Sequence, residues 1–208
     1  MAVLWISFII VIIDQLTKMA VKGSPISWLP WEGMPYGSSK PFIGEIMRLT
    51  FIENPGIAFG ITIPGFKAVF GVFSIVASAA IIWYLNKHKH ELSKWEKISL
   101  SLILGGAVGN LIDRVFYGVI YGYEILFYGR VVDFFDFGYK ENWFPVFNVA
   151  DSAVSVGVVL LMILLLKKKE PVVAAETASS SVSDASDPET IANHAGSNEE
   201  QNTPQHAQ

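Results

Sequence analysis

The stretch AVLWISFIIVIIDQLTKMAVK, residues 2–22, decides how the chain is read. It is apolar over about the 20 residues that a helix needs to cross a hydrocarbon core about 30 Å thick. Yet it carries Asp14 and Lys18 within that length. An ionised side chain at membrane depth costs roughly 2.5–3.5 kcal/mol on insertion scales, so each needs a reason to be there. The two residues lie one helical turn apart and can pair on one face. Such a pair can tether a helix end or serve a site directly. A cleaved signal peptide is the poorer reading. No Lys or Arg precedes the run, no A-x-A site follows, and three more apolar stretches come later.

Those stretches span residues 66–85, 98–115 and 146–166. Each approaches membrane length, and the third of the four stretches is the shortest and richest in glycine. Composition agrees. The chain of 208 residues is 51% hydrophobic and 16% charged, against about 25% charged in an ordinary soluble domain. It has no Cys, which excludes disulfides, thiolate metal sites and a cysteine nucleophile. Residues 170–208 hold seven of the 19 acids and none of the 15 bases. The remainder keeps 15 bases against 12 acids, a net of +3. No basic cluster is interleaved with stacking aromatics, so nucleic acid is not an expected partner.

Lys and Arg near the helix ends set the orientation. Lys87, Lys89, Lys94 and Lys97 lie between the second and third stretches, and Lys167, Lys168 and Lys169 follow the fourth. Both groups are expected in the cytoplasm, with both termini. Lys18 and Lys22 then sit at the outer end of the first helix and oppose the rule. The expected fold is an all-α integral membrane protein of four transmembrane helices. A small extracytoplasmic β-containing segment and a disordered C-terminal tail complete it. Residues 1–169 form the membrane domain and residues 170–208 an acidic cytoplasmic tail, too polar to offset its ordering entropy. In the first outer segment, residues 24–40 read as loop and Met47–Ile52 as a strand. The second, residues 116–145, is dense in Tyr and Phe, as membrane interfaces are.

Further polar residues gather near the same outer ends. Asn110 and Asp113 share a face at the end of the third stretch, beside Arg114. A structural polar cluster is the reading favoured there. Asp133 lies in the apolar run VVDFFDF, residues 131–137, which suits a strand or a helix start. Asp136 reads as a loop or interfacial acid. Asp151 opens the fourth helix, where it or Asn148 can cap. If Asp133 and Asp151 share one depth, two carboxylates can converge.

Elimination narrows the chemistry. The four His residues are His88, His90, His194 and His206, all in the cytoplasmic loop or the tail. There is no H-E-x-x-H zinc site and no Ser–His arrangement in the membrane. Neither a metal nor a cofactor is expected. Residues 105–109, GGAVG, lack the Lys of a phosphate loop, and Gly105 and Gly109 suit close helix packing. Carboxylates remain as the acid–base groups. Two close ones share a proton, so one can act as base on water while the other donates to a carbonyl oxygen. A transporter or ion pathway, and a scaffold whose polar residues only join helices, stay open at this level. A transporter would spread its charges through the depth of the bilayer.

Five motifs now stand in order: residues 14–18 (DQLTK), 54–60 (NPGIAFG), 105–114 (GGAVGNLIDR), 131–134 (VVDF) and 147–152 (FNVADS). Together they resemble the lipoprotein signal peptidase (signal peptidase II) family over residues 1–169. The resemblance implies a bacterial inner-membrane aspartyl endopeptidase. Such an enzyme cuts prolipoproteins before a diacylglyceryl-modified Cys, at the extracytoplasmic face. It implies Asp133 and Asp151 as the catalytic pair. It implies Asp14, Lys18, Asn54, Asn110, Asp113, Arg114 and Asn148 as the residues that bind substrate and order the site. Membrane lipids, prolipoproteins and globomycin-type cyclic peptide inhibitors are the implied partners. Two departures stand out. The stretch from Arg114 to Val131 is longer than usual in that family, and is expected to anchor at the interface. The acidic tail is longer too.

Overall fold

The computed structural model describes residues 3–26, 28–56 and 66–183. Four helices are long and apolar enough to cross a membrane. They are α1 (Leu4–Lys22), α2 (Phe66–Lys87), α3 (Lys94–Ile112) and α5 (Val149–Ser183). Helix α3 starts at a reciprocal cap: the Glu96 amide donates to Ser93 Oγ at 3.2 Å, and the Ser93 amide to Glu96 Oε2 at 2.7 Å. A π-helical turn, Asp113–Tyr117, and a short helix α4, Gly118–Ile120, prolong α3. Residues 116–120 are therefore helical rather than part of an outer loop.

The fold is not all-α. Strands β1 (Ser39–Ile43), β2 (Met47–Asn54), β3 (Val131–Tyr139) and β4 (Asn142–Trp143) form one antiparallel sheet in that order. Thr50 pairs with Ser39 on one side of β2, and Ile52 with Asp133 on the other. The apolar run 131–137, ambiguous in sequence, becomes strand because β2 supplies its ladder. β1 likewise begins within the stretch read as loop.

Burial along the helices is inverted relative to a water-soluble protein. Trp5, Phe8, Ile9, Leu16, Val72, Phe73 and Leu166 are exposed, while Ser7, Asp14, Lys18, Ser99, Ser101, Asn110, Asp113 and Asn148 are buried. Lipid tails are as apolar as Leu, so helix association depends on close packing and polar contacts. Glycines permit that approach. A Cβ on Gly105 would lie 2.9 Å from Ile10 Cβ of α1, and one on Gly106 would lie 2.2 Å from the Ala150 carbonyl of α5. The packing role expected for this glycine run holds.

A second core lies beneath the sheet, built on Val21, Phe51, Tyr117, Val132 and Phe134. By internal contacts the chain divides into two compact units, Met1–Leu164 and Leu165–Gln208. The apolar span of α5 ends at Lys168, and its helix continues to Ser183, so residues 170–183 are helical rather than disordered as expected: once started, a helix extends at little cost per residue. The remainder of the acidic tail, residues 184–208, lies outside the described residues, as do residues 57–60 of the second motif.

Candidate active site

The polar residues of α1 and α3 meet in one fully buried cluster. Lys18 Nζ lies 2.8 Å from Asp14 Oδ2, 2.8 Å from Asp113 Oδ2 and 3.0 Å from Asn110 Oδ1. An ammonium has three donors, and all three are used. Gly109 leaves room for the pair, since a Cβ there would lie 2.7 Å from Asp14 Oδ2. Each carboxylate then reaches outward. Asp14 Oδ1 accepts from the Ala150 amide at 2.9 Å, and Asp113 Oδ2 from the Val132 amide at 3.2 Å. The cluster thereby fixes the start of α5 and the start of β3.

Those two starts carry Asp151 and Asp133. Asn148 is the N-cap of α5: its Oδ1 accepts from the Asp151 amide at 2.9 Å, while the Asn148 amide donates to Asp151 Oδ2 at 3.3 Å. Asp151 thus completes a cap, as one sequence reading held, and its other oxygen accepts from Asn110 Nδ2 at 2.7 Å. Asn148 Nδ2 donates to Asp133 Oδ1 at 2.6 Å and also contacts Asn110 Oδ1 and the Val132 carbonyl, at 3.1 and 3.2 Å. One asparagine therefore joins both acids. Asn54, at the end of β2, adds a side-chain hydrogen bond to Asp133. Its own Oδ1 accepts from the Gly56 amide at 2.9 Å, which leaves the Nδ2 group for the carboxyl.

Asp133 is buried and Asp151 half-buried. Burial, then the charge of Asp151, pushes the Asp133 carboxyl up to about 7. Hydrogen bonds from Asn148 and Asn54 and the charge of Lys18 pull the other way. The two acids thus differ in environment, the arrangement that separates an acid from a base. Arg114 acts electrostatically on Asp113, Asp151 and Asp133, and its Nη1 lies 3.4 Å from the Asn110 carbonyl. It lines a cavity of about 410 Å³ with Phe70, Phe73, Asn110, Asp151 and Ser155. This cavity between α2, α3 and α5 is apolar along its length and acidic at Asp151. Among the described residues no group of three or more His, Asp or Glu is placed to hold a metal ion.

The structure brings all nine expected residues together. Of the two readings of Asp136, a loop or an interfacial acid, the strand assignment removes the loop. Asp136 is buried on β3, where its Oδ2 accepts from Arg48 Nη2 at 2.8 Å and from Thr50 Oγ1 at 2.6 Å. Two residues were missed. Gln15 Nε2 lies 2.9 Å from Asp113 Oδ1 and 3.1 Å from Asp14 Oδ2, and Tyr117 Oη donates to Gln15 Oε1 at 3.1 Å. An amide inside a membrane-length helix was the available signal for Gln15. Nothing in sequence separated Tyr117 from its aromatic neighbours.

Membrane-length helices, a cap-linked pair of acids and a cavity opening on one of them describe a multi-pass membrane protein with a candidate acid–base site. Comparison with known proteins makes this specific. A family model described as signal peptidase (SPase) II matches residues 6–167, and the chain belongs to that family of membrane peptidases. A lipoprotein signal peptidase of Bacillus pumilus (strain SAFR-032) is 38% identical over 155 residues, covering 74% of this chain and 86% of the relative. One of Burkholderia mallei (strain SAVP1) is 39% identical over 160 residues, covering 76% and 82%. A bacterial membrane enzyme solved by the in meso method at 2.3 Å superposes with a TM-score of 0.64 at 30% identity. That match covers 81% of this chain and 90% of the solved one. A second such structure, at 1.9 Å, gives 0.63 at 32% identity, covering 80% and 93%.

Proposed function

We propose that this chain is an aspartyl endopeptidase that removes the signal peptide from prolipoproteins, cutting before the diacylglyceryl-modified Cys. The observation that carries this reading is the Asn148 bridge, which holds Asp133 and Asp151 to one site. Asp133, the more buried acid, keeps the shared proton. Asp151, which accepts from Asn110 Nδ2 and the Asn148 amide, is the more exposed of the two and acts as base. Water attacks the scissile carbonyl carbon as Asp151 takes its proton and Asp133 gives its own to the carbonyl oxygen. On collapse the C–N bond breaks, the amine takes the proton from Asp151, and the carbonyl returns its proton to Asp133.

Asp14, Lys18, Asn110, Asp113, Arg114, Asn54 and Asn148 hold this geometry and bind the substrate. The signal helix lies along the cavity between α2, α3 and α5, and the acyl chains of the substrate remain in the bilayer. Globomycin-type cyclic peptides occupy the same site. The enzyme resides in the bacterial inner membrane with both termini cytoplasmic and the acids at the extracytoplasmic face. Residues 1–169 are the peptidase domain, and residues 170–208 are an appended acidic segment.

Cleavage of a lipidated prolipoprotein by purified wild type, Asp133→Asn and Asp151→Asn tests the proposal. Each substitution keeps volume and removes acid–base capacity, so a loss of at least about 100-fold is expected. If a folded variant cuts near the wild-type rate, its carboxylate is not catalytic.

A further inference from the structure

Lys22 and the aromatic segment 117–130 form a second, half-buried assembly one turn beyond the Asp14–Lys18 pair. Lys22 is a cation at the last residue of a membrane-length helix, and residues 116–130 are dense in Tyr and Phe. The fold brings these two features into contact. Lys22 Nζ pairs with Glu53 Oε1. It also sits 4.2 Å from the Tyr121 ring centroid, 4.7 Å from that of Tyr123 and 5.8 Å from that of Tyr117. All three lie within the roughly 6 Å over which a cation attracts an aromatic face. Arg130 completes the enclosure: its Nη1 lies 3.6 Å from Glu53 Oε2, and its amide donates to Tyr123 Oη at 3.1 Å. Tyr121 Oη donates to the Gly23 carbonyl at 2.9 Å, closing the assembly on the end of α1. These tyrosines turn inward, although other side chains of the segment, Phe116, Ile120, Ile125 and Leu126, are exposed.

Glu53 is the residue before Asn54, and successive strand side chains point to opposite faces. In the β2–β3 register Glu53 pairs with Val132, and Ile52 with Asp133. Asn54 and Asp133 therefore share the face opposite Glu53. A grip on Glu53 from one side fixes which way Asn54 points on the other. We infer that Lys22 and the Tyr117–Arg130 segment are a clamp, and that Lys22 is a positioning residue which acts through Glu53 to hold Asn54 on Asp133. The inference rests on the assignment of Asp133 to the catalytic pair.

The test uses the full-length protein in detergent or proteoliposomes with a lipidated prolipoprotein substrate. Lys22→Met keeps the alkyl stem and removes the charge; Lys22→Arg is the conservative replacement; Glu53→Gln breaks the same contact from the other side. Thermal stability, kcat, KM and the pH profile are measured for each, with Asp133→Asn alongside. The groups facing Asp133 are Asp151, Lys18, Arg114, Asn148 and Asn54, of which the clamp moves only Asn54. The Asn54 hydrogen bond favours ionised Asp133. Its loss therefore moves the alkaline limb of activity to higher pH.

The expected result is a folded Lys22→Met with kcat down about tenfold, KM little changed and the alkaline limb raised. Lys22→Arg should restore both, and Asn54→Ala should show the same limb shift. Combining Lys22→Met with Asn54→Ala should add little, since both remove one contact. An unchanged profile in Lys22→Met, with or without lower stability, overturns the clamp, as does additivity in the double variant. If Lys22→Met does not fold, Glu53→Gln decides by the same criteria. Full activity in Asp133→Asn would instead overturn the assignment of the dyad.

Discussion

Replacing Lys18 by Met tests whether the polar cluster at the centre of the bundle is as dry as its geometry implies. Met preserves an unbranched stem and deletes the ammonium. Three contacts vanish, at 2.8, 2.8 and 3.0 Å, from a side chain with no exposed surface. Asp14 and Asp113 keep hydrogen bonds from Gln15 and from the Ala150 and Val132 amides. Among the described residues they lose their only cation at contact distance and are left facing each other, buried. Removing one partner of a buried ion pair costs about 3–5 kcal/mol. At about 2–4 °C per kcal/mol for a chain of this size, the melting temperature should fall by roughly 6–20 °C. Thermal unfolding in detergent, followed by tryptophan fluorescence, reads this directly. The triple variant Lys18→Met, Asp14→Asn, Asp113→Asn should recover more than half of the loss, because its buried groups are neutral. A loss below about 1 kcal/mol, the scale of an exposed pair, would refute the reasoning. So would a triple variant no more stable than the single one.

Asp133 should also make stability depend on pH. Its folded carboxyl holds a proton to about 7, whereas an unfolded one releases it near 4. Stability from this group is present below 4 and falls as pH rises to 7, by about 4 kcal/mol. Asp133→Asn should thus melt above wild type at pH 8 and near it at pH 4; a gap independent of pH would contradict this. Gly106→Ala would place a Cβ 2.2 Å from the Ala150 carbonyl, and backbone cannot yield as a side chain does. A loss of about 3 kcal/mol or more is expected from calorimetry or chemical denaturation. Asp136→Asn should lower stability through the lost Arg48 ion pair, yet retain cleavage in the prolipoprotein assay.

The four spans were legible because lipid demands continuous apolar length and α-helices satisfy their backbone internally. The Asp14–Lys18 contact was legible because both partners lie on one helix. Asp113 was placed on a shared face with Asn110, yet Lys18 holds both from another helix, a contact no local spacing reveals. Asp136 failed for the same reason: its partner Arg48 lies 88 residues earlier. The run 131–137 could not be assigned to strand or helix until β2 was beside it. The extension of α3 through a π-helical turn had no sequence signal. Lys22 had no account at all until Glu53 and three tyrosines converged on it.

The hydrogen bond from the Ala150 amide to Asp14 has a consequence for biosynthesis. It ties α1 to α5, which is made more than 120 residues later. Asp151 sits one residue beyond that amide, so the geometry of the pair of acids closes only when the fourth span has docked. A nascent chain that ends before α5 already contains Asp133, its β-sheet ladder and Lys18 with Asp14 and Asp113, but not Asp151. The proposed pair of acids therefore comes together only once α5 has docked on α1. Ribosome-arrested chains that stop before residue 149 should be inert however well their first three spans have assembled.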